Sequence, residues 1–233
     1  SCVSEERIVA IVMSDSLPAC TIWKNDDGCA GLIHFYAALR TQPFVLVTGR
    51  FGMLLQGVKV IEHATYYAAP GAGGILSDWG AEVIKIEPPG GDPVRSNFPT
   101  KGTGKEHLTD NPAFDGDNRG KKSIVVDART EEGQEIIRKL ADTADVFLTN
   151  VRPGGIGRSG LGYDILSKRN PKLVYCALTG YGLEGPDANA PGFDVASFWS
   201  RSGLARLTAP KGSELFPIRT AAGDHTTSIA AVA

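Results

Sequence analysis

Five short apolar runs recur along the chain: Val58–Glu62 (VKVIE), Glu82–Glu87 (EVIKIE), Ser123–Asp127 (SIVVD), Asp145–Thr149 (DVFLT) and Leu173–Leu178 (LVYCAL). Pro70–Trp79 reads as a loop running into a helix, and further helical stretches stand between and after the strands at Thr130–Asp142, Tyr163–Arg169, Asp194–Leu204 and Asp224–Ala233. Strands apolar on both faces and alternating with helices imply a parallel sheet covered on both sides. The expected class is therefore α/β, a Rossmann-like, doubly wound, mainly parallel sheet. Ligands of such folds bind beyond the carboxyl ends of the strands, which directs attention to the loops after Glu62, Glu87, Thr149 and Leu178.

Local signals refine the pattern. Gly80 is a stop for the helix that ends near Trp79. Thr130 caps the next helix, Glu131 and Glu132 suit its first turn, and Ile136, Ile137 and Leu140 fall on one face. Pro88–Arg119 reads as a long polar loop. Before Met53 the periodicity is weak, and this segment holds three of the four cysteines, Cys2, Cys20 and Cys29. Residues 1–52 are expected to be a poorly ordered extension and residues 53–233 a large domain. The chain stops at Ala233 inside an apolar helical run, so a truncated chain is expected.

Composition narrows the function classes. The 233 residues carry 42% hydrophobic and 21% charged residues with a net charge of −2. That balance gives no basic field for nucleic acid and no polybasic patch for a membrane. Gly31–Val47 is fairly apolar, but His34, Arg40, Gln42 and Pro43 interrupt it. No C-x-x-C pair or Cys/His spacing suggests a metal site. Sparse cysteine and no visible signal peptide point to a cytoplasmic protein.

The stretch VRPGGIGRSG offers Gly155, Gly157 and Gly160 as a G-x-G-x-x-G match. A dinucleotide site needs the first glycine directly after the strand and the last in the helix that receives the pyrophosphate. Five residues intervene before Gly155, the helix is read as starting only after Gly162, and the next strand ends without an acid. A glycine-rich loop is the better reading. The unit Val58–Glu87, with Gly71, Gly73 and Glu87, is Rossmann-like but lacks the third glycine.

Several longer pieces carry more information: GILSDWGAEVIKIEPPGGDPVR, NRGKKSIVVDARTEEGQEII, ADVFLTNVRPGGIGRSGLGYDIL, NPKLVYCALTGYGLEGP and PGFDVASFW. In this order, from about Gln56 to the end, they resemble family III CoA-transferases of the CaiB/BaiF type, the group of formyl-CoA transferase, carnitine CoA-transferase and the α-methylacyl-CoA racemases. The resemblance leaves Ser1–Gly52 uncovered. AAPGAGGILSDWGAEVIKIE, PGFDVASFWSRSGL and GDHTTS look most like transferases for 2-hydroxy or aryl-substituted acids. The resemblance implies an acyl-CoA and a small carboxylic acid as substrates, coenzyme A as co-substrate with no tightly bound cofactor, and an interlocked homodimer. The family's second, smaller domain would lie beyond this chain.

Asp194 in PGFD matches the family's nucleophile. A carboxylate there attacks a thioester to give a mixed anhydride, then an aspartyl-CoA thioester, and is regenerated. By position alone, Asp194 also reads as a helix N-cap. Racemases of the family carry a histidine just before this aspartate; Phe193 cannot move protons, which favours transfer over epimerisation. Asn118, Arg119 and Lys121 match a basic loop suited to the phosphates of CoA. Asn150 and Arg152 follow the fourth strand, where Arg152 can meet phosphate or the pantetheine amides of CoA, and Gly180, Tyr181 and Gly182 follow the fifth, where small residues permit close backbone approach to the same ligand. Lys85 and Glu87 either line the crevice or form a structural ion pair. His63 reads as a solvated loop residue, Asp224 as a cap and Cys176 as a core thiol. The rival readings are an acyl-CoA racemase or isomerase on the same fold, and a nucleotide-binding fragment without catalysis.

Overall fold

The computed structural model describes residues 52–97, 111–215 and 221–233. The strands are β1 (Lys59–His63), β2 (Glu82–Glu87), β3 (Lys122–Val125), β4 (Val146–Thr149) and β5 (Val174–Ala177). They form one sheet in the order β3-β2-β1-β4-β5, and every pairing is parallel. The chain runs outward from β1 to β3, then returns to the other side of β1. Ile61 of β1 stands opposite Ile84 on one side and Phe147 on the other.

Alternation along β1 divides the core. Val60 faces a cluster with Ala69, Ala72, Val83 and Leu148, covered by α1 (Ala68–Asp78) and approached by α7 (Ala222–Val232). Ile61 faces Ile86, Ile137, Phe147, Leu161 and Leu166, covered by α3 (Glu131–Ala141) and α5 (Tyr163–Arg169). The expected double winding is present. Among the described residues no helix is long and apolar enough to cross a membrane.

Helix α1 reads AAPGAGGILSD and starts two residues before Pro70, where a loop was expected, although one proline and three glycines disfavour a helix. Close packing replaces propensity here. A Cβ on Gly71 would overlap Ser228 of α7, and one on Gly73 would overlap Glu62. Gly80 follows the helix with φ 99°, as its stop role requires. Thr130 caps α3, its Oγ1 accepting the Gly133 N–H at 3.1 Å. Thr130→Ala is expected to lower the unfolding free energy by about 1 kcal/mol, read as a lower urea midpoint at unchanged slope.

Three expectations are corrected. Pro88–Arg119 is not all loop: a 3₁₀ turn occupies Pro93–Asn97 and helix α2 spans Pro112–Asn118. Asn111 caps α2 by accepting the Phe114 N–H at 3.0 Å, and Pro112 opens it. The stretch VRPGGIGRSG contains helix α4 (Pro153–Arg158), so a helix does precede Gly162. Gly155 and Gly157 lie inside it rather than in a turn before it, which still leaves the dinucleotide arrangement unmet. The helical text after Asp194 divides into a π-helix, Val195–Arg201, and α6 (Leu204–Thr208). The expectation for residues 1–52 falls, Gly52 apart, outside the described residues.

Candidate active site

Asp194 lies where three segments meet. The loop after β5 crosses the segment leading to Asp194 at Gly180 and Gly192, so closely that a Cβ on either would overlap the other's backbone. Gly180 thus makes its close approach to this chain segment, and it fixes the path two residues before Asp194. The second contact is with α7: Asp194 Oδ1 accepts the Gly223 N–H at 3.1 Å. A side chain at Gly223 would overlap both Oδ1 and the Phe198 ring. The third is with the loop after β1, through an edge-to-face contact of Tyr66 and Phe193 with ring centroids 6.3 Å apart.

Asp194 occupies the N-cap position of the π-helix, but its side chain makes no capping bond there. It instead caps α7 from outside, where the N-terminal end of the helix favours an anion. The residue is 8% exposed, and Oδ2 is buried with no hydrogen-bond partner. A π-helical segment directly after such a carboxylate is a common mark of a functional site.

Asp224 is not a cap. Ala221 holds that position, and Asp224 lies in the first turn of α7. Its pKa is pushed up to about 6 by burial first, then by Asp194 and Asp117, with His225 acting the other way. His225 reaches Asp117 at 3.1 Å, and Ser228 Oγ donates to the Ala68 carbonyl at 2.7 Å, docking α7 on the start of α1. Between the ordinary value of 3.8 and about 6 the folded chain keeps a proton that the unfolded chain has released. Folding is therefore favoured by this group at low pH, and the contribution is lost as pH rises to about 6. Asp224→Asn is expected to flatten stability over that window, measured as urea midpoints at pH 4 and 7.

The sheet's topological switch point lies between β1 and β4. Here Asn150 clasps Thr65, accepting its N–H at 3.1 Å and donating to its carbonyl at 2.6 Å. Thr149 Oγ1 donates to the His63 carbonyl at 2.8 Å. His63 is a correction: it ends β1 and is half-buried, not solvated. Burial and then Lys85 bring its pKa down to about 4, and Nδ1 has no partner.

Beneath the same loop lies a charge cluster in which each side chain is at most 2% exposed. Lys85 Nζ pairs with Glu62 Oε1 at 3.0 Å and Asp92 Oδ2 at 2.9 Å, and donates to the Ala64 carbonyl at 3.1 Å. Lys121 Nζ pairs with Glu62 Oε2 at 2.7 Å and donates to Pro70 O and Asn118 Oδ1. Burial opposes the charge on Lys85, but Glu62 and Asp92 outweigh it and its pKa rises. At Lys121 burial prevails and the pKa falls. Lys85 thus forms a structural pair, though with Glu62 and Asp92; Glu87 pairs with Arg95 at 2.6 Å, which with burial opposing holds Glu87 down at about 2. Sequence reasoning missed this cluster, because its members come from four separated segments.

The structure separates the residues matched to CoA contacts. Lys121 and Asn118 are tied into the buried cluster. Arg119 pairs with Asp78 at the last residue of α1, ahead of β3, so it lies toward the amino edge of the sheet. Arg152 Nη1 donates to Asn189 O at 3.1 Å and remains near the surface. Tyr181 lies under the Arg201 guanidinium at 5.2 Å, and Gly182, with φ 88°, donates to Thr179 Oγ1. Cys176 is a half-buried free thiol whose pKa burial raises.

Comparison with known proteins supplies the family. The family model for CoA-transferase family III matches residues 55–233. Cinnamoyl-CoA:phenyllactate CoA-transferase of Clostridium sporogenes is 41% identical over 172 residues, covering 74% of this chain and 42% of that protein. (R)-2-hydroxy-4-methylpentanoate CoA-transferase of Clostridioides difficile is 41% identical over 185 residues, covering 78% and 45%. The crystal structure of a CaiB/BaiF family protein from Brucella suis superposes with a TM-score of 0.68 at 39% identity, covering 76% and 47%. The chain spans less than half the length of each of these relatives. With the structural likeness and the family match in agreement, this chain belongs to CoA-transferase family III.

Proposed function

We propose that the protein moves coenzyme A between an acyl-CoA thioester and a free carboxylic acid, with Asp194 as the nucleophile. The observation that carries this reading is the division of labour between the two Asp194 oxygens: Oδ1 is anchored by Gly223 N–H, and Oδ2 is without a partner. Oδ2 attacks the thioester carbonyl, the C–S bond breaks, and CoA leaves as its thiolate. The product is a mixed anhydride between Asp194 and the acyl group. The thiolate then adds to the Asp194 carbonyl carbon. The former Oδ2 departs with the acyl carboxylate, and an aspartyl-CoA thioester remains. Negative charge developing on Oδ1 during that addition meets the Gly223 N–H and the N-terminal end of α7. The acceptor carboxylate runs the two steps in reverse, transferring CoA and restoring Asp194.

The relatives from Clostridium sporogenes and Clostridioides difficile, both CoA-transferases of organic acids, support the reaction class. Phe193 supports transfer over epimerisation, because it offers no proton to the carbon next to the carbonyl. An assembly of two chains belongs to the same proposal and is read by light scattering.

The test is to trap the intermediate. The protein is mixed with an acyl-CoA and quenched with hydroxylamine, and the peptide containing Asp194 is weighed. A hydroxamate on Asp194, absent from Asp194→Ala, is expected. An unmodified peptide removes the proposal. Exchange of the acyl-CoA α-proton in deuterium oxide without an acceptor acid replaces it with the epimerase reading.

A further inference from the structure

We propose that His225, held by Asp117, is a positioning residue for the reaction: the pair sets the first turn of α7 so that the Gly223 N–H meets Oδ1 of Asp194. The inference rests on the reading of Asp194 as the nucleophile and adds the device that aims its anchor.

The first turn of α7 carries no cap of its own. Ala221 occupies the cap position, offers no side-chain acceptor, and enters the helix with φ 66°. A left-handed alanine is disfavoured, and such a conformation persists only where the surroundings over-determine it. Two aspartates from other segments supply the hold. Asp194 Oδ1 accepts the Gly223 N–H at 3.1 Å. Two residues on, His225 Nε2 meets both oxygens of Asp117, at 3.1 and 3.2 Å. A carboxylate only accepts, so Nε2 carries the proton and donates it. Successive helical residues are turned by about 100°, so Gly223 and His225 face nearly opposite sides of the turn. The turn is clamped from both sides, and a shift at one bond is a shift at the other.

Asp117 supplies the independent observation. It lies in the last turn of α2 and is 7% exposed, where burial and the carbonyl end of a helix both disfavour an anion. Lys121 lies near enough for Asp117 to favour its charge, but its ammonium bonds Glu62, the Pro70 carbonyl and Asn118 instead. The hydrogen bond from His225 offsets that cost, and it joins residues 108 apart in sequence. Room for the contact comes from α1: a Cβ on Gly71 would overlap Ser228 of α7 and touch Asp117 Oδ1. Ser228 Oγ donates to the Ala68 carbonyl at 2.7 Å, but it holds α7 further along its length and not at its end. The His225 side chain is 53% exposed, so apolar burial gives little reason for it, though the Tyr67 ring stands edge-on 6.3 Å away. The Gly223 N–H aims Oδ2 for attack by fixing Oδ1, and later receives the charge that grows on Oδ1. Misplacement by about 1 Å is enough to cost such a step about 10²-fold.

The test follows the rate of Asp194 hydroxamate formation against phenylacetyl-CoA concentration in wild type, His225→Ala, His225→Phe and His225→Gln. The maximal rate is expected to fall about 10²-fold in His225→Ala and His225→Phe, with half-saturation unchanged. Gln Nε2 takes the place of the ring Nε2 and can still donate to Asp117, so His225→Gln is expected to keep most of the rate. His225→Phe and His225→Gln fill the site by volume, so their comparison stands even where the truncation unfolds. Hydrogen exchange of the Gly223 amide is a second readout that needs no substrate. It is expected to quicken in His225→Ala and His225→Phe and to stay at the wild-type rate in His225→Gln. The inference is overturned if His225→Phe labels as fast as wild type, because ring packing is then sufficient, or if Gly223 exchange is the same in all four proteins. A raised half-saturation concentration at unchanged maximal rate also overturns it, because His225 then binds the thioester. Label on wild-type Asp194 with uniform exchange defeats this inference alone. No label on wild type, with exchange altered as expected, defeats the nucleophile reading and leaves the pair a structural clamp.

Discussion

Asp194→Asn is expected to abolish CoA transfer, by about 10⁴-fold or more in kcat, while leaving the melting temperature within a few degrees of wild type. Under the proposed mechanism the two effects separate, because Oδ1 accepts the Gly223 N–H while the unpartnered Oδ2 makes the attack. An amide oxygen at the Oδ1 position can still accept the Gly223 N–H, so the junction with α7 survives. The amide nitrogen in place of Oδ2 has no negative charge with which to attack a thioester. Removal of the anion also withdraws one cause of the high pKa of Asp224, which is expected to titrate lower in the variant. Carbon-13 NMR of the labelled carboxyl reads that shift directly. A variant that keeps transfer activity would remove Asp194 from the chemistry.

Lys85→Met is expected to be the most destabilising single change in the described sheet, at about 3–5 kcal/mol. The cluster holds two ammonium groups and two carboxylates in balance, all out of contact with water. Loss of the Lys85 charge leaves Glu62 and Asp92 with Lys121 alone, and Lys121 pairs only with Glu62 among them. Asp92 is then buried without its cation. The double variant Lys85→Met with Asp92→Asn restores the balance and is expected to recover part of the loss. Urea unfolding of the two single variants and the double variant gives the coupling. Additive costs would show that Lys85 and Asp92 act independently.

The frame of this protein was readable because its strands and helices carry their signals locally. Glu82–Glu87 and Tyr163–Arg169 coincide with the observed elements, and Thr130 caps α3 as its chemistry requires. Helix α2 was legible in principle from Asn111 followed by Pro112, but surrounding glycines and acids hid it. Helix α4 was not legible. Its three glycines argue against a helix, and tertiary contacts decide otherwise: Asn189 Oδ1 accepts the Gly154 N–H at 2.6 Å and Ile156 packs on the core. The site shows the same division. Asp194 stands out through the motif around it. Its bond to Gly223 spans 29 residues, and the Lys85 cluster joins four segments, so neither leaves a local pattern. Lys121 shows the cost of reading charge from a loop: in sequence it is a cation for phosphate, and in the fold it neutralises Glu62.

The position of β1 has a consequence for the nascent chain. One edge of β1 finds β2 soon, since the Lys85–Glu62 bond spans 23 residues. The other edge waits for β4, with the Lys59–Asp145 bond spanning 86 residues. At ribosomal speeds of about 5–20 residues per second, the open edge stays unpaired for roughly 4–17 seconds after it emerges. Val60 and Ile61 are apolar and β-branched, so during that interval the middle of the future sheet is its most adhesive margin. Chaperone capture during synthesis should concentrate on chains stalled between β3 and β4.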